Sequence, residues 1–263
     1  MNGRSHDVEA APESRDFVTA FARGLAVIEA FGPENRTMTV AEVAAQTGLD
    51  RAVARRLLLT LVDLGFAHVH QRRFELTTRV LRLAYSFLSS AGIGASLQPY
   101  LDELARAVGE TVSLAVLDEA EVVFVARSDI PGRRLAYVVT TGMRLPAFSS
   151  ASGRVLLADR PPGIVAQLLA RTKITRLTRH TVMSRRDIAN LIDQARRDGH
   201  SINRQEIEED LVSASVPVTN RAGLVVAALN VSTSTSRFTE PRMKKELLPK
   251  LKATASVLSG MLP

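Results

Sequence analysis

At 263 residues, 46% of them hydrophobic, the chain is long enough to bury one large core or two smaller ones. It has no cysteine, which excludes disulfides, cysteine-zinc sites and thiol catalysis, while a formal charge of +7 favours an anionic partner such as a nucleic acid or an acidic ligand. The opening MNGRSHDVEAAPESRD has no apolar signal-peptide core and no later segment reaches membrane-span length, so a cytoplasmic, unprocessed protein with a disordered tail over residues 1–15 is expected.

In chain order, residues 17–31 place Phe17, Phe21, Leu25, Ile28 and Phe31 at three- and four-residue steps, the stripe of a first core helix ended by Gly32-Pro33. After the polar loop PENRTM, Thr39 caps a short helix, VAEVAAQT, with Glu42 completing a capping box and Gly48 a stop. Asp50 caps a third helix, RAVARRLLLTLVDL, whose Leu57, Leu58, Leu61 and Leu64 read as core and which Gly65 closes. Two short helices joined by a Gly-containing turn are the signature of a helix-turn-helix. FAHVHQRRFELT then reads as a small hairpin around Gln71-Arg72-Arg73, and the whole of 16–79 as a winged helix-turn-helix domain.

Residues 80–95 form a linker, a helix running into the break AGIGAS. Beyond it, over 96–263, come a helix SLQPYLDELARAVG, two strand-like runs TVSLAVLD and EVVFVARSD meeting at an acidic turn, LAYVVTTG, ASGRVLLA, IVAQLLA, SRRDIANLIDQARRDG, SASVPVTN, GLVVAALNVS and a terminal helix. Hairpins mixed with helices predict an α+β sensor domain with one central sheet.

The third helix carries Arg51, Arg55 and Arg56 in its first two turns, turned away from its apolar side, where a recognition helix meets base edges. Arginine suits that role because its planar fork bonds guanine at two acceptors. The DNA-contacting set is thus Thr39, Arg51, Ala52, Arg55 and Arg56, with Arg72 and Arg73 at the wing tip contacting phosphate or the minor groove. The alternative is a solvated basic helix in a winged-helix protein-interaction adaptor without ligand control.

Other constellations carry less. His68 and His70 alternate on a strand without a third ligand, and Glu206, Glu208, Glu209 and Asp210 read as a solvated acidic loop, so no metal is expected. Ser149, Ser150 and Ser152 with His180 or His200 lack the nucleophile elbow of a hydrolase, and Gly92-Ile93-Gly94 lacks the third glycine of a dinucleotide site. No catalytic residue and no cofactor are predicted.

From about residue 17 to 260 the chain resembles the IclR-type bacterial regulators, carried by RGLAVIEAFG, MTVAEVAAQTGLDRAVARRLLLTLVDLGFA, GMRLPAFSSASGRVLLA and GHSINRQEIEEDLVSASVPVTNRAGLVVAALNVS. The resemblance implies a winged helix, a linker helix used in dimerisation, and a GAF/PAS-like effector-binding domain, assembled as a homodimer or dimer of dimers on double-stranded DNA at a pseudo-palindromic operator. The stretch LPAFSSASGRVLLA is most similar to the branch controlling aromatic-acid breakdown, the protocatechuate and β-ketoadipate route. The family's pocket, carried over by position, implies a small carboxylate effector held by Ala151 and Ser152, with Asn203, Leu211, Ser213, Asn230 and Ser232 along it and Val138 as an apolar wall. Three positions depart from the family pattern: Phe148 stands where His or Tyr is common, Arg154 where Lys is common, and Asp210 where Gly is usual, a place where glycine's backbone freedom is expected to matter.

Overall fold

The computed structural model describes residues 16–32, 34–90, 96–131 and 139–262. The tail over 1–15, residues 91–95 of the linker and the first half of LAYVVTTG, Val138 included, lie outside the described residues. Contacts divide the chain into two compact units, Met1–Phe87 and Leu88–Pro263.

In the first unit, α1 (Thr19–Glu29) is followed by β1 (Thr37–Met38), α2 (Val40–Thr47), α3 (Arg51–Asp63), β2 (Ala67–His70) and β3 (Arg73–Leu76), the three strands ordered β1-β3-β2. Local chemistry sets the turns. The Thr39 hydroxyl accepts the Glu42 N–H while the Glu42 carboxylate accepts the Thr39 N–H at 2.7 Å, Gly48 ends α2 at φ 69°, and Asp50 accepts the Ala52 N–H at 2.7 Å to start α3. Val27, Met38, Val43, Ala54, Leu58, Leu61 and Phe74 close the core.

The first helix buries only part of the stripe its periodicity suggests: Ile28 and Phe31 pack against the core. Val27 and Ala30 are buried, whereas Phe17, Phe21 and Leu25 are 39%, 68% and 41% exposed. The small-residue side makes the closer approach: a Cβ on Gly24 would stand 4.0 Å from Leu57 on α3. Leu64, the last of the expected leucine stripe, is also exposed, because α3 has ended at Asp63. A 3-10 turn over Thr78–Val80 leads into α4 (Leu81–Ser90).

The second unit runs α5 (Gln98–Val108), β4 (Thr111–Asp118), β5 (Glu121–Ser128), β6 (Arg144–Pro146), α6 (Ala151–Ala158), α7 (Pro162–Arg171), α8 (Arg185–Asp198), β7 (Ser201–Arg204), β8 (Leu211–Thr219) and β9 (Val225–Ser234). A final helix is continuous through α9 (Glu240–Arg242), a π turn over Met243–Leu247 and α10 (Leu248–Ser259). The sheet is antiparallel, ordered β6-β5-β4-β9-β8-β7. Alternation sorts its faces. Val212, Ala214 and Val216 of β8 with Leu229 and Val231 of β9 pack against Leu101 of α5 and Leu251 of α10. Ala115 and Ala228 face the opposite way, into a cluster with Phe148, Leu156 of α6 and Ile192 of α8. The α+β sensor architecture expected from the hairpin and helix patterns is the one observed. The strands that periodicity did not reveal, β1, β6 and β7, are two to four residues long.

Candidate functional site

On α3 the side opposite Ala54, Leu58 and Leu61 presents Arg51, Ala52, Arg55 and Arg56 to solvent. None of these three guanidinium groups meets a carboxylate among the described residues, so their charge is free for a ligand. Thr39 is occupied by its capping box, and the Glu42 carboxyl is held below the usual carboxylate range chiefly by the Thr39 N–H.

The wing separates its two arginines. His70 pairs with Arg73, leaving Gln71 and Arg72 as a two-residue loop with φ of 49° and 66°. Positive φ at both positions is a type I′ turn, which favours Asn-Gly; here two long side chains occupy it. Arg72 projects from the tip, while Arg73 begins β3 and is turned inward: its Nε donates to the Thr37 hydroxyl at 3.0 Å, its Nη2 to the Thr37 carbonyl at 2.6 Å, and it meets Glu42 at 3.2 Å. Arg36 meets Glu75 at 2.8 Å, and that guanidinium chiefly holds the Glu75 carboxyl below its ordinary range. Arg73 and Arg36 therefore fix the wing to the helix-turn-helix.

In the sensor unit the sheet face turned toward α6 is polar where the pocket residues were placed. Registry sets Ser213 beside Asn203 and Ser232, Ser215 beside Asn230, and Asn230 beside Ser113; cross-strand partners share a face. α6 begins over this patch. Its cap, Ser150, accepts the Gly153 N–H at 3.0 Å, and Ser152 accepts a hydrogen bond from Ser215 at 3.3 Å. The N–H groups of Ala151 and Ser152 meet no acceptor among the described residues. Asn230 is 3% exposed; its amide nitrogen donates to Ser232 at 2.9 Å and Ser113 at 3.4 Å, but its Oδ1 is buried with no donor among the described residues. Leu211 is buried at the head of β8 in the apolar cluster around α6.

Asn203, beside Ser213 at the edge of this patch, spends its amide on other partners. Its amide donates to the Ser149 carbonyl at 2.8 Å and to Glu206 Oε1 at 2.9 Å. Glu206 is itself buried, correcting its expected place in a solvated loop, and grips Arg154 in a fork of 2.7 and 2.8 Å. Arg154 Nε donates to the Phe148 carbonyl at 3.1 Å, so one buried pair ties the loop after β7 to the turn that feeds α6. Lysine cannot reproduce that fork. The loop's left-handed residue is Gln205, φ 59°, not Asp210; Asp210 instead accepts Thr235 and Ser234 hydroxyls at 2.6 and 2.8 Å, bonds that hold its carboxyl below the usual range. Sequence reading missed the Arg154–Glu206 brace, and also missed Ser113 and Ser215, which the alternation in TVSLAVLD and SASVPVTN already put on the same face.

Among the described residues no cluster of three His, Cys, Asp or Glu could hold a metal, and no helix is long and apolar enough to cross a membrane. Ser150 and Ser152 bond within the α6 turn and to Ser215, and His200 bonds the Asp198 carbonyl.

Residues 20–70 match the family model of the IclR helix-turn-helix domain, and residues 85–260 that of the C-terminal domain of bacterial transcriptional regulators of the IclR type. The chain is 35% identical over 255 residues to the Pca regulon regulatory protein of Pseudomonas putida, covering 97% of this chain and 88% of that one. It is 36% identical over 252 residues to the p-hydroxybenzoate hydroxylase transcriptional activator of Acinetobacter baylyi, with 94% and 93% covered. A solved structure, the inducer-binding domain of a PobR double mutant from Acinetobacter in complex with 3-hydroxybenzoic acid, superimposes with a TM-score of 0.60 at 31% identity, over 63% of this chain and 97% of that one.

Proposed function

The chain belongs to the IclR family of bacterial transcriptional regulators, and from that premise we propose that its hold on operator DNA is set by a hydroxylated aromatic carboxylate bound on the polar face of the sensor sheet. A carboxylate fits the open N–H groups of Ala151 and Ser152 at the start of α6, where backbone donors and the helix dipole favour an anion. Ser213 and Ser232 offer hydroxyls along the strands and Leu211 an apolar wall; Val138, expected as a further wall, lies outside the described residues. Asn203 acts indirectly, through Ser149 and Glu206.

The observation that carries the proposal is the Asn230 Oδ1. A buried acceptor without a donor is costly, and a ligand hydroxyl would satisfy it. The relatives support the same class: one activates the gene for p-hydroxybenzoate hydroxylase and another structure holds 3-hydroxybenzoic acid. Calorimetric titration of the full chain with 4-hydroxybenzoate, protocatechuate and benzoate tests it. One hydrogen bond of about 1.4 kcal/mol corresponds to roughly tenfold in affinity, so benzoate should bind about tenfold more weakly, and Asn230→Leu should erase the difference. Equal binding of benzoate and 4-hydroxybenzoate by the unaltered chain defeats the assignment.

DNA reading follows from the free arginines of α3. In this reading Arg51, Ala52, Arg55 and Arg56 face the major groove and Arg72 the backbone or minor groove, with Thr39 and Arg73 holding the frame. Two copies are needed for a pseudo-palindromic operator, and the apolar groups left exposed on α1 (Phe17, Phe21, Leu25) and α4 (Leu81, Leu83, Tyr85) supply a surface for a homodimer. Sedimentation of Phe21→Asp tests this: the dimer reading expects dissociation at concentrations where the unaltered chain stays paired, and an unchanged sedimentation profile refutes it.

A further inference from the structure

A second concentration of positive charge lies in the sensor unit, apart in sequence from the arginines of α3 and the wing. Between Arg160 and Arg186 stand seven Lys and Arg and no Asp or Glu. Outside that stretch the remaining 27 cations equal the chain's 27 acids. This one segment, covering α7, the loop after it and the start of α8, thus carries a formal charge as large as the +7 of the whole chain.

Part of this charge has a structural use. Arg185 donates to the carbonyls of Leu169, Ala170 and Thr172, closing the end of α7, and Arg179 meets Glu209 at 3.2 Å. Arg160, Arg171, Lys173, Arg176 and Arg186 pair with no carboxylate among the described residues, and all five are exposed. Surfaces kept merely soluble mix both signs evenly; here cations outnumber the acids Glu119, Asp193 and Glu209.

Apolar groups lie among these cations. Ile164, Leu177 and Met183 are 53%, 43% and 37% exposed. A groove of about 380 Å³ runs along one side of α7 over Leu157, Ile164 and Leu168, rimmed by Arg160 and Arg171 with Glu119 the one acid on its lining. A second, of about 360 Å³, lies on the other side over Leu169 and Ala189, rimmed by Arg185, Arg186 and Arg196; its single acid, Asp193, is paired with Arg196. Val165 floors both. Two open apolar grooves flanking one helix, each edged by guanidinium groups, suit several side chains of an extended partner. A nucleic-acid backbone has no apolar side chains to fill them, and one small acid cannot span both.

We propose that the α7 ridge of the sensor unit is a docking surface for an acidic amphipathic segment of a partner protein, its leucine-like side chains in the grooves and its carboxylates on Arg160, Arg171, Lys173 and Arg186. The surface shares no residue with the α3 arginines or the Asn230 patch, so it stands whatever the effector is.

Fluorescence anisotropy with the full chain tests it, using a labelled synthetic helical peptide that carries Glu and Asp on one face and Leu on the other. Controls are labelled polyglutamate and a duplex lacking the operator. Expected are binding that weakens with salt, at least tenfold loss in Arg171→Glu/Lys173→Glu and in Ile164→Asp, at least tenfold weaker binding of polyglutamate, and unchanged operator affinity and melting temperature in each variant. No binding of the peptide overturns the proposal. So does equal binding by the charge-reversed variant, or equal binding of polyglutamate or duplex, which would make the ridge a general polyanion surface. Self-association of the chain that the same substitutions abolish would assign the ridge to a second copy and overturn it as well.

Discussion

Replacing Arg154 with methionine should strip the sensor unit of much of its stability while leaving the DNA-binding unit intact. Arg154 is 1% exposed and makes three hydrogen bonds, two to Glu206 and one to the Phe148 carbonyl. Methionine fills similar volume but leaves the Glu206 carboxylate buried, with only the Asn203 amide and the Val182 N–H at 3.1 Å still donating to it. Breaking one side of a buried ion pair costs about 3–5 kcal/mol. For a domain of about 150–250 residues, each kcal/mol moves the midpoint by roughly 2–4 °C, so the sensor transition should fall by roughly 6–20 °C. Arg154→Lys, which keeps a charge but loses the fork and the bond to Phe148, should fall by less. The pair Arg154→Met/Glu206→Met should recover much of the loss, because no buried charge is then stranded. Differential scanning calorimetry of the full chain tests this. A shift below about 2 °C in Arg154→Met, or a double variant that loses the sum of the two single losses, would refute the brace.

Three further outcomes follow from particular atoms. A Cβ on Gly153 would stand 2.1 Å from the Ala147 carbonyl oxygen and 2.3 Å from its Cα, both backbone, so Gly153→Ala should destabilise the sensor unit by about 3 kcal/mol and abolish effector binding, read by calorimetry and titration; wild-type behaviour in both would mean α6 does not pack on that turn. At the wing tip, Gln71→Asn/Arg72→Gly places favoured residues at two left-handed positions, each of which costs an ordinary side chain about 1–2 kcal/mol; the DNA-binding unit should melt higher while operator affinity drops, and a gain in both would remove Arg72 from the interface. The Asp210 carboxyl is held low by Thr235 and Ser234, so its contribution is complete above the ordinary aspartate range and fades as pH falls through the lowered folded value. Asp210→Asn should flatten that acid limb of the melting temperature without changing DNA binding, and an unchanged limb would show that the two hydroxyls do not favour the ionised form.

How far the sequence could be read depended on the range of each interaction. The helix-turn-helix was legible because its signals are local: Thr39 with Glu42, Gly48, and Asp50 with Ala52 lie within four residues of what they control. The polar patch was partly legible, since Asn230 and Ser232 alternate on one strand, but Ser113 joins it from 117 residues away. Arg154 and Glu206 are 52 residues apart, and nothing near either announces the other. The α1 stripe was legible only in part, because periodicity locates an apolar stripe without saying what covers it; Val27 and Ala30 are buried and Ile28 and Phe31 pack beside them, while Phe17, Phe21 and Leu25 remain exposed. The partners of Arg73 were not legible, because Thr37 lies 36 residues away in sequence.

Fluorescence anisotropy of the DNA upstream of the protein's own gene, titrated with the full chain at fixed salt with and without 4-hydroxybenzoate and protocatechuate, tests most directly whether an aromatic acid sets the grip of the α3 arginines on DNA. The prediction is tight binding whose affinity shifts when one of the acids is added, with Arg55→Ala losing about 1–3 kcal/mol of binding and some base preference. Tight binding that neither acid moves would contradict the assignment of an aromatic acid to the Asn230 patch, and binding indifferent to Arg55→Ala would contradict the reading of α3 as the recognition helix.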